Sequence, residues 1–231
     1  MLSVRGLTRV YRTGSDEVHA LRGVDVDLSA GELVALLGPS GSGKSTLLNL
    51  LGGLDRPDGG QIRFRGEELT RCDDRGLALY RRRHVGFVFQ SYNLIPSLTA
   101  RENVELACEG AERPIPAAVA LTLVGLGARM DHFPGQMSGG EQQRAAVARA
   151  IAKRPGVLLC DEPTGAVDSK TGVQVLEAIE RCSLELGALT VLVTHNSAIA
   201  AMADRILFLA DGRIAGARAN SPRRRAREIS W

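Results

Sequence analysis

No run of apolar residues in this 231-residue chain approaches the roughly 18 that a membrane-spanning helix needs. The longest uninterrupted run, Leu33–Leu37, is long enough only for a buried strand. Residues 1–5 lack the apolar core of a secretory signal, so we expect none there. These absences predict a soluble, cytoplasmic protein rather than a secreted or integral membrane protein.

Cysteine is scarce, and its spacing excludes two common uses. Cys72, Cys108, Cys160 and Cys182 lie far apart, and no C-x-x-C pair occurs. This spacing argues against a disulfide framework and against a zinc ribbon, and it fits a reducing cytosol. Internal repeats and low-complexity linkers are also absent from the sequence.

An excess of positive charge is missing from most of the chain. The net charge is +3, but residues 212–231 contain six arginines and one glutamate, and subtracting that +5 leaves residues 1–211 at −2. A nucleic-acid-binding protein would carry its positive charge on the folded body, so we expect no nucleic-acid partner. Residues 217–231 are predicted to be a disordered basic tail, with weak attraction to an anionic membrane surface as the alternative.

Strand-like and helix-like segments alternate along the chain, and 44% of the residues are hydrophobic, which is enough for a sizeable core. Alternation of this kind predicts an α/β fold with a largely parallel sheet. Strands are predicted at 2–11, 18–28, 33–37, 61–65, 85–89, 157–160, 189–193 and 206–209. Helices are predicted at 45–51, 73–83 and 168–186, and residues 96–154 form a helical insertion in which Thr99 and Glu102 make a capping box.

The strongest motif is a complete phosphate loop, GPSGSGKS, at residues 38–45. An apolar strand precedes it and a helix-forming run follows it, which is the context that the motif needs. Its glycines turn backbone N–H groups toward an anion, and the helix N-terminus adds partial positive charge. Lys44 is expected to reach the β- and γ-phosphates of a nucleoside triphosphate, and the Ser45 hydroxyl to bind Mg²⁺. The candidate phosphate-binding residues are Gly38, Ser40, Gly41, Ser42, Gly43, Lys44, Ser45 and Thr46.

Two acids follow the apolar strand 157–160. Asp161 and Glu162 stand at the carboxyl end of a buried strand, where α/β sheets place their ligands. We expect Asp161 to hold Mg²⁺ through its water shell. Glu162 is then placed to polarise the water that attacks the γ-phosphate.

A second anion-binding helix start is predicted at Ser138. Ser138 and Glu141 have the spacing of a capping box, and Gly139 and Gly140 between them expose backbone amides. This site lies about a hundred residues after the phosphate loop. Two copies related by a twofold axis could each offer it to the nucleotide of the other.

These motifs, in this order, resemble the nucleotide-binding subunit of an ATP-binding cassette (ABC) transporter from about residue 2 to residue 216. The resemblance implies a phosphate-loop NTPase core (1–90 and 155–216), an antiparallel β part at its start and a helical insert (91–154) with the signature motif Ser138-Gly139-Gly140-Glu141. It implies ATP and Mg²⁺ as cofactors. It also assigns Tyr11 to adenine stacking, Gln90 to Mg²⁺ and the attacking water, Asp168 to the D-loop, and His195 to the γ-phosphate.

Other segments of the sequence are similar to those of the lipoprotein-release and macrolide-efflux ATPases, notably LLNLLGGLD at 47–55 and VGFVFQSYNL at 85–94. In that group a cytoplasmic ATPase drives a membrane permease, so the resemblance implies a permease partner and a place at the inner face of the membrane. Two positions depart from the usual pattern: Glu141 stands where many members have Gln, and Val167 where Leu is common. Neither change removes a reacting group.

Three other functional classes share some of these motifs. A related ATPase signals to cell-wall hydrolases during division, and the sequence does not distinguish it. A soluble ABC protein acting on DNA needs a long coiled coil between the nucleotide motifs, and one acting on the ribosome has two cassettes; this chain has neither. A GTPase would carry an Asn-Lys-x-Asp motif, which is absent.

The segment 90–98 joins the nucleotide core to the helical insertion. It carries four apolar side chains, Tyr92, Leu94, Ile95 and Leu98, in a stretch too short and too interrupted by proline to bury them all in one helix. We expect it to dock a helix of the permease. The alternative is a hinge packed on its own core.

Overall fold

The computed structural model of the chain describes residues 1–14 and 16–231. The described residues form two sheets with helices around them. The strands are β1 (Leu2–Thr13), β2 (Asp16–Leu28), β3 (Leu33–Leu37), β4 (Gly59–Phe64), β5 (Glu67–Glu68), β6 (Val85–Val88), β7 (Val157–Asp161), β8 (Leu189–Thr194), β9 (Arg205–Ala210) and β10 (Arg213–Ala219). The helices are α1 (Lys44–Leu51), α2 (Asp74–His84), α3 (Ala100–Ala107), α4 (Ala117–Leu123), α5 (Gly139–Ala152), α6 (Ser169–Leu186) and α7 (Ser197–Ala200).

The larger sheet has six strands in the order β10-β9-β3-β8-β7-β6, and only β10 is antiparallel to its neighbour. The smaller sheet, β2-β1-β4-β5, is antiparallel throughout. These findings confirm the predicted fold class, a phosphate-loop α/β core with an antiparallel part at its start and an inserted helical region. The order of the parallel strands also means that β3, β8 and β7 end side by side.

Both faces of the parallel strands of the six-stranded sheet are buried, which explains why β3, β6, β7 and β8 are apolar at nearly every position. Along β3, Leu33 and Ala35 face the core that the sheet shares with α3–α6, while Val34 and Leu36 face a second core. That second core lies between the sheet, α1, α2 and the antiparallel sheet. Within the described part of the chain, no helix combines the length and the apolar character needed to cross a bilayer.

Two helices of the insertion, α3 and α5, begin where the sequence predicts. Thr99 and Glu102 form the expected capping box at the start of α3, α4 follows Pro116, and Ser138 caps α5. The side chains of this region pack into the same core as one face of the larger sheet. The insertion therefore rests directly on the sheet whose strand ends carry the nucleotide motifs.

The prediction of a disordered tail at 217–231 is wrong. Ala226 and Ile229 are buried in the core beside α6, where Ile229 is only 4% exposed. Glu180 on α6 accepts a hydrogen bond from the Ala226 N–H at 3.2 Å and pairs with Arg225 at 3.6 Å. The many arginines of this segment suggested disorder, although it also contains two apolar residues that are buried, and Glu180, which binds it, lies elsewhere in the sequence.

The last residue of the chain lies against the start of α6. A Cβ placed on Gly172 would fall 2.6 Å from the Trp231 ring, so the indole packs directly on that glycine. The Ser169 hydroxyl donates a hydrogen bond of 2.8 Å to the Trp231 carbonyl. The segment thus crosses α6 and ends at its N-terminus.

Candidate functional site

The phosphate loop connects the end of β3 to α1 and leaves the first amides of that helix free of side-chain caps. Gly43 is the N-cap residue, has no side chain that could accept a hydrogen bond from these amides, and adopts a φ of +100°. A Cβ at this position would also fall 2.4 Å from the Ala20 carbonyl oxygen, so only glycine fits. The uncapped N–H groups and the helix dipole make this turn suited to an anion.

Lys44 is held inside the loop. Its ammonium donates hydrogen bonds to the carbonyl oxygens of Gly38 at 2.8 Å and Pro39 at 2.7 Å, and the residue is only 8% exposed. An ammonium has three donors, so two are used in anchoring the side chain across the loop. Ser42 is buried in the same loop, and its carbonyl accepts from the Gly212 N–H at 3.2 Å.

The ends of the parallel strands bring the acid pair to the phosphate loop. Leu37 of β3 lies beside Thr194 of β8, and Asp161 of β7 lies beside Val193. The Ser45 hydroxyl donates a hydrogen bond of 3.1 Å to Asp161 Oδ1. Burial raises the pKa of Asp161, the Ser45 bond opposes that change, and the charge of Glu162 adds to it.

Glu162 and His195 are in direct contact. His195 Nδ1 hydrogen-bonds Glu162 Oε1 at 3.0 Å. The backbone of Glu162 has a φ of +45°, an unfavourable conformation for a residue with a side chain, and its N–H donates to the Val193 carbonyl at 3.1 Å. Strain of this kind persists only where the surroundings hold it, and it turns the carboxylate toward the histidine.

A cleft of about 760 Å³ gathers most of the predicted site residues. It is lined by Tyr11, Val18, Ala20, Ser40, Gly41, Gly43, Lys44, Ser45, Thr46, Gln90, Glu162, Gly165 and His195. The size is within the range of small-molecule sites. Gly38 and Asp161 contact this group through Lys44 and Ser45, as described above.

Tyr11 lies at one end of the cleft and is fixed by neighbours that the sequence did not reveal. Its hydroxyl donates a hydrogen bond of 2.8 Å to Asp55 Oδ2, and the Arg9 guanidinium lies 4.7 Å from the ring centre. Arg9 also pairs with Asp55 at 2.9 Å. Asp55 ends the segment 47–55, but only the folded chain shows that it orients the tyrosine.

The signature residues do not line this cleft. Ser138 caps α5, and the Glu141 carboxylate accepts a hydrogen bond of 2.8 Å from the Ser138 N–H. A Cβ on Gly140 would fall 1.8 Å from the Thr171 methyl, so this glycine lets α5 approach α6 closely. Gly139 lies beside the Tyr92 hydroxyl. Within one copy of the chain, the signature residues therefore lie apart from the residues that line the cleft.

Asp168 is also outside the lining of the cleft. It is the N-cap of α6, where its carboxylate accepts a hydrogen bond of 3.1 Å from the Thr171 N–H, and the hydrogen bonds from Thr171 lower its pKa. The structure thus gives Asp168 a capping partner, whereas its place in nucleotide binding stays a prediction.

The segment 90–98 is more tightly packed than the sequence suggested. The Tyr92 hydroxyl donates to the Ala166 carbonyl at 3.2 Å, and Leu94 packs against the helical core. Ile95 is 40% exposed, whereas Leu98 is half-buried. The segment therefore carries features of both the hinge and the docking interpretation.

Two positioning residues escaped sequence reasoning. Gln143, fully buried on α5, donates a hydrogen bond of 3.1 Å to the Phe89 carbonyl, just before Gln90. Arg149 donates to the carbonyl oxygens of Tyr92, at 3.0 Å, and Asn93. Both side chains tie the signature helix to the segment that follows β6. A polar residue on the inner face of an otherwise apolar helix was the available signal.

The parallel sheet, the phosphate loop and the acid pair at the end of β7 define a phosphate-loop NTPase. Residues 21–165 match the ABC transporter family, and the chain belongs to that family. It is similar to the lipoprotein-releasing system ATP-binding protein LolD of Geobacter metallireducens, at 46% identity over 219 residues, 93% of this chain and 97% of that protein. It is an ATPase of the ATP-binding cassette class.

Two further comparisons agree with this assignment. The macrolide export ATP-binding/permease protein MacB 2 of Aeromonas hydrophila is 45% identical over 93% of this chain, which spans only 34% of that protein. A solved dimeric structure of a post-hydrolysis state of the ATP-binding cassette MJ0796 of Methanocaldococcus jannaschii, bound to ADP and Pi, has a TM-score of 0.87 at 38% identity. The alignment covers 95% of this chain and 98% of that one.

Proposed function

We propose that two copies of this chain close head to tail around two molecules of ATP and drive a membrane permease from the cytoplasmic face of the membrane. The observation that carries the proposal is the separation of the two motif sets. The cleft holds Lys44, Gln90, Glu162 and His195, while Ser138 lies outside it. A second copy supplying Ser138 would complete the enclosure of the nucleotide.

The residues of the cleft have different roles in nucleotide binding and hydrolysis. Lys44 and the uncapped amides of α1 bind the phosphates, and Tyr11 stacks on the adenine. Glu162 accepts a proton from the attacking water, and His195 holds Glu162 and contacts the γ-phosphate. Closure of the second copy excludes bulk water and strengthens each of these electrostatic contacts.

The cleft also suits Mg²⁺. Ser45 Oγ and Asp161 Oδ1 are 3.1 Å apart, and hydroxyl and carboxylate oxygens are the donors that this cation prefers. Gln90 adds an amide oxygen on the same cleft. The cleft and the rest of the described residues contain no group of three or more His, Cys, Asp or Glu side chains that could hold a metal. When bound with the nucleotide, Mg²⁺ would neutralise charge on the phosphates.

Changing Ser138 to arginine in a Glu162→Gln chain should abolish ATP-dependent dimerisation and leave ATP affinity of the single copy within about threefold, a difference below 1 kcal/mol. The bulky cation fills the helix start that faces the partner, while the phosphate loop of the same copy is untouched. Dimerisation is measured by sizing chromatography with ATP, and affinity by titration.

The matched control is Ser29→Arg, an exposed serine that lies before β3 and away from both motif sets. Made in the same Glu162→Gln chain, this control should dimerise with ATP as the chain with Glu162→Gln alone does. A Ser138→Arg chain that still dimerises would refute the composite site, and one that loses ATP affinity as a monomer would place Ser138 in the site of its own copy.

The permease contact is proposed at Ile95. It is the exposed apolar residue of the segment that follows Gln90, and the Asn103 side chain fixes its backbone by accepting from the Ile95 N–H at 2.8 Å. Movement of Gln90 at the cleft would reach the membrane partner through this short segment.

Replacing Ile95 by glutamate should lower binding to urea-stripped membranes of the producing organism about tenfold or more, because an apolar side chain loses its burial and a charge enters the contact. ATPase activity of the isolated chain should stay unchanged. Membrane binding is measured by cosedimentation. The control is Val119→Glu, at a similarly exposed apolar residue of α4, and it should cosediment with the membranes like the unmodified chain. Equal sedimentation of the two variants would place the contact elsewhere.

A further inference from the structure

A second cavity lies where β7 and β8 of the larger sheet begin, at the opposite ends of these strands from the nucleotide cleft. Its volume is about 450 Å³, and its lining includes Pro155 and Gly156, which precede β7, and Gly187, which precedes β8. The nucleotide cleft lies at the other ends of these strands, and five residues of β7 span about 16 Å. The cavity is therefore separate from the site described above.

The lining of this cavity is strongly basic. Five cationic side chains border it, against the single carboxylate of Glu112. They are Arg65, Arg83, Arg113, Lys153 and Arg154. They come from four separate segments: the end of β4, the end of α2, the loop before α4 and the end of α5. Four independent segments thus deliver positive charge to one concave volume.

None of these five cations forms an ion pair with a carboxylate within the part of the chain that the structure describes. Other arginines of the chain are paired, for example Arg205 with Glu32 at 2.8 Å. Arg65 instead lies over the Phe64 ring at 5.0 Å, and the Lys153 ammonium donates to the Arg81 carbonyl at 2.9 Å. Against five cations the lining holds one carboxylate, Glu112, so most of the positive charge of the cavity is not compensated within the lining.

Two titratable groups in the lining respond to this environment. Burial lowers the pKa of Lys153 to about 8, and the nearby charges of Arg149 and Arg81 act in the same direction, whereas Cys108 opposes them. Burial also lowers the pKa of His84, with Arg65 and Arg83 next in importance and Glu67 and Glu112 opposing. An anion in the cavity would relieve the repulsion that both groups experience.

We propose that this cavity binds a compact polyanion carrying phosphate groups, either as a free oligophosphate or as the headgroup of an anionic lipid. Guanidinium groups match phosphate oxygens with two parallel hydrogen bonds, and four arginines and a lysine line the cavity together with His84. The basic residues surround a concavity of small-ligand size rather than forming an extended stripe, which favours one compact ligand over an acidic peptide or a nucleic acid.

The proposal is tested on the full chain with its nucleotide cleft saturated with ADP and Mg²⁺. Tripolyphosphate is titrated into this complex by calorimetry, so that the phosphate loop is already occupied. We expect one further site per chain. The charge reversal Arg65→Glu/Arg113→Glu should weaken its affinity about tenfold or more. ATPase activity should stay unchanged, because neither residue lines the nucleotide cleft.

The matched control is Arg75→Glu/Arg227→Glu, which changes the net charge equally at two exposed arginines outside the cavity lining. It should bind tripolyphosphate like the unmodified chain. Absence of a second site, equal affinity of the cavity variant, or equal loss in the control would each overturn the proposal. Tighter binding of a polyglutamate peptide than of tripolyphosphate would overturn the phosphate class.

A second arm separates the two sources of phosphate. Vesicles of phosphatidylcholine with phosphatidylglycerol are compared with vesicles of phosphatidylcholine alone. Sedimentation with the first kind, competed by tripolyphosphate and lost in the cavity variant, assigns the site to a lipid headgroup. Tripolyphosphate binding without vesicle binding assigns it to a free anion. Because the cleft stays filled in both arms, either result is independent of the dimer and permease proposals.

Discussion

Replacing Lys44 by alanine should remove nucleotide binding and ATP turnover together. We expect ATP affinity to fall about a hundredfold or more, because each charge-assisted hydrogen bond to a phosphate contributes about 1.5–3 kcal/mol. Among the residues that line the cleft there is no other lysine and no arginine, so no neighbouring side chain can replace the Lys44 cation. Affinity is measured by titration with a non-hydrolysable ATP analogue, and turnover by phosphate release.

The control for this variant is Arg75→Ala, which removes one positive charge from the exposed surface of α2. It should bind and hydrolyse ATP normally. A Lys44→Ala chain with normal ATPase activity would contradict the phosphate-loop assignment. Loss of binding with an unchanged thermal unfolding temperature would show that the effect arises in the loop rather than from misfolding.

Replacing Glu162 by glutamine should separate binding from hydrolysis. The amide preserves the shape of the side chain but cannot accept a proton from water, so the rate should fall about a hundredfold to ten-thousandfold. ATP should still bind, since Lys44 and the loop amides are unchanged. With hydrolysis stalled, the closed dimer should accumulate and elute earlier in sizing chromatography with ATP.

Glu109→Gln is the matched control, since Glu109 is exposed and lies outside the cleft. It should hydrolyse ATP at the rate of the unmodified chain and show no stable dimer. Hydrolysis by Glu162→Gln at the unmodified rate would show that Glu162 is not the base. The adjacent His195→Ala change should also slow hydrolysis, because His195 holds the Glu162 carboxylate through their 3.0 Å contact.

The phosphate loop was predictable because everything it needs is local in the sequence. An apolar strand, glycines and a helix-forming run follow one another within about twenty residues, and Lys44 and Ser45 have fixed positions within that pattern. The acid pair was predictable for a related reason, because Asp161 and Glu162 end a strand that can only be buried. Their roles in catalysis stay predictions, whereas the fold that brings them together is confirmed.

The remaining features depend on contacts between distant segments. The hydrogen bond from Gln143 to Phe89 joins residues that are far apart in sequence. The polar residue on the inner face of α5 indicates that a partner exists, but it does not identify the partner. The partner of Tyr11, Asp55, is equally remote. The tail was predicted wrongly because four of the five residues 223–227 are arginines, while the core that buries Ala226 and Ile229 is built from distant segments such as α6. Sequence patterns describe such segments poorly because their partners are set by the completed fold.

The position of Trp231 has a spectroscopic consequence. It is the only tryptophan in the sequence, and its ring rests on Gly172 at the start of α6, next to the helix cap Asp168 and Ser169. Indole emission from the unlabelled chain therefore originates at a single place, beside the loop that connects Glu162 to α6. Any rearrangement there during a nucleotide cycle changes the surroundings of one fluorophore, so stopped-flow fluorescence can follow it in real time without an attached dye.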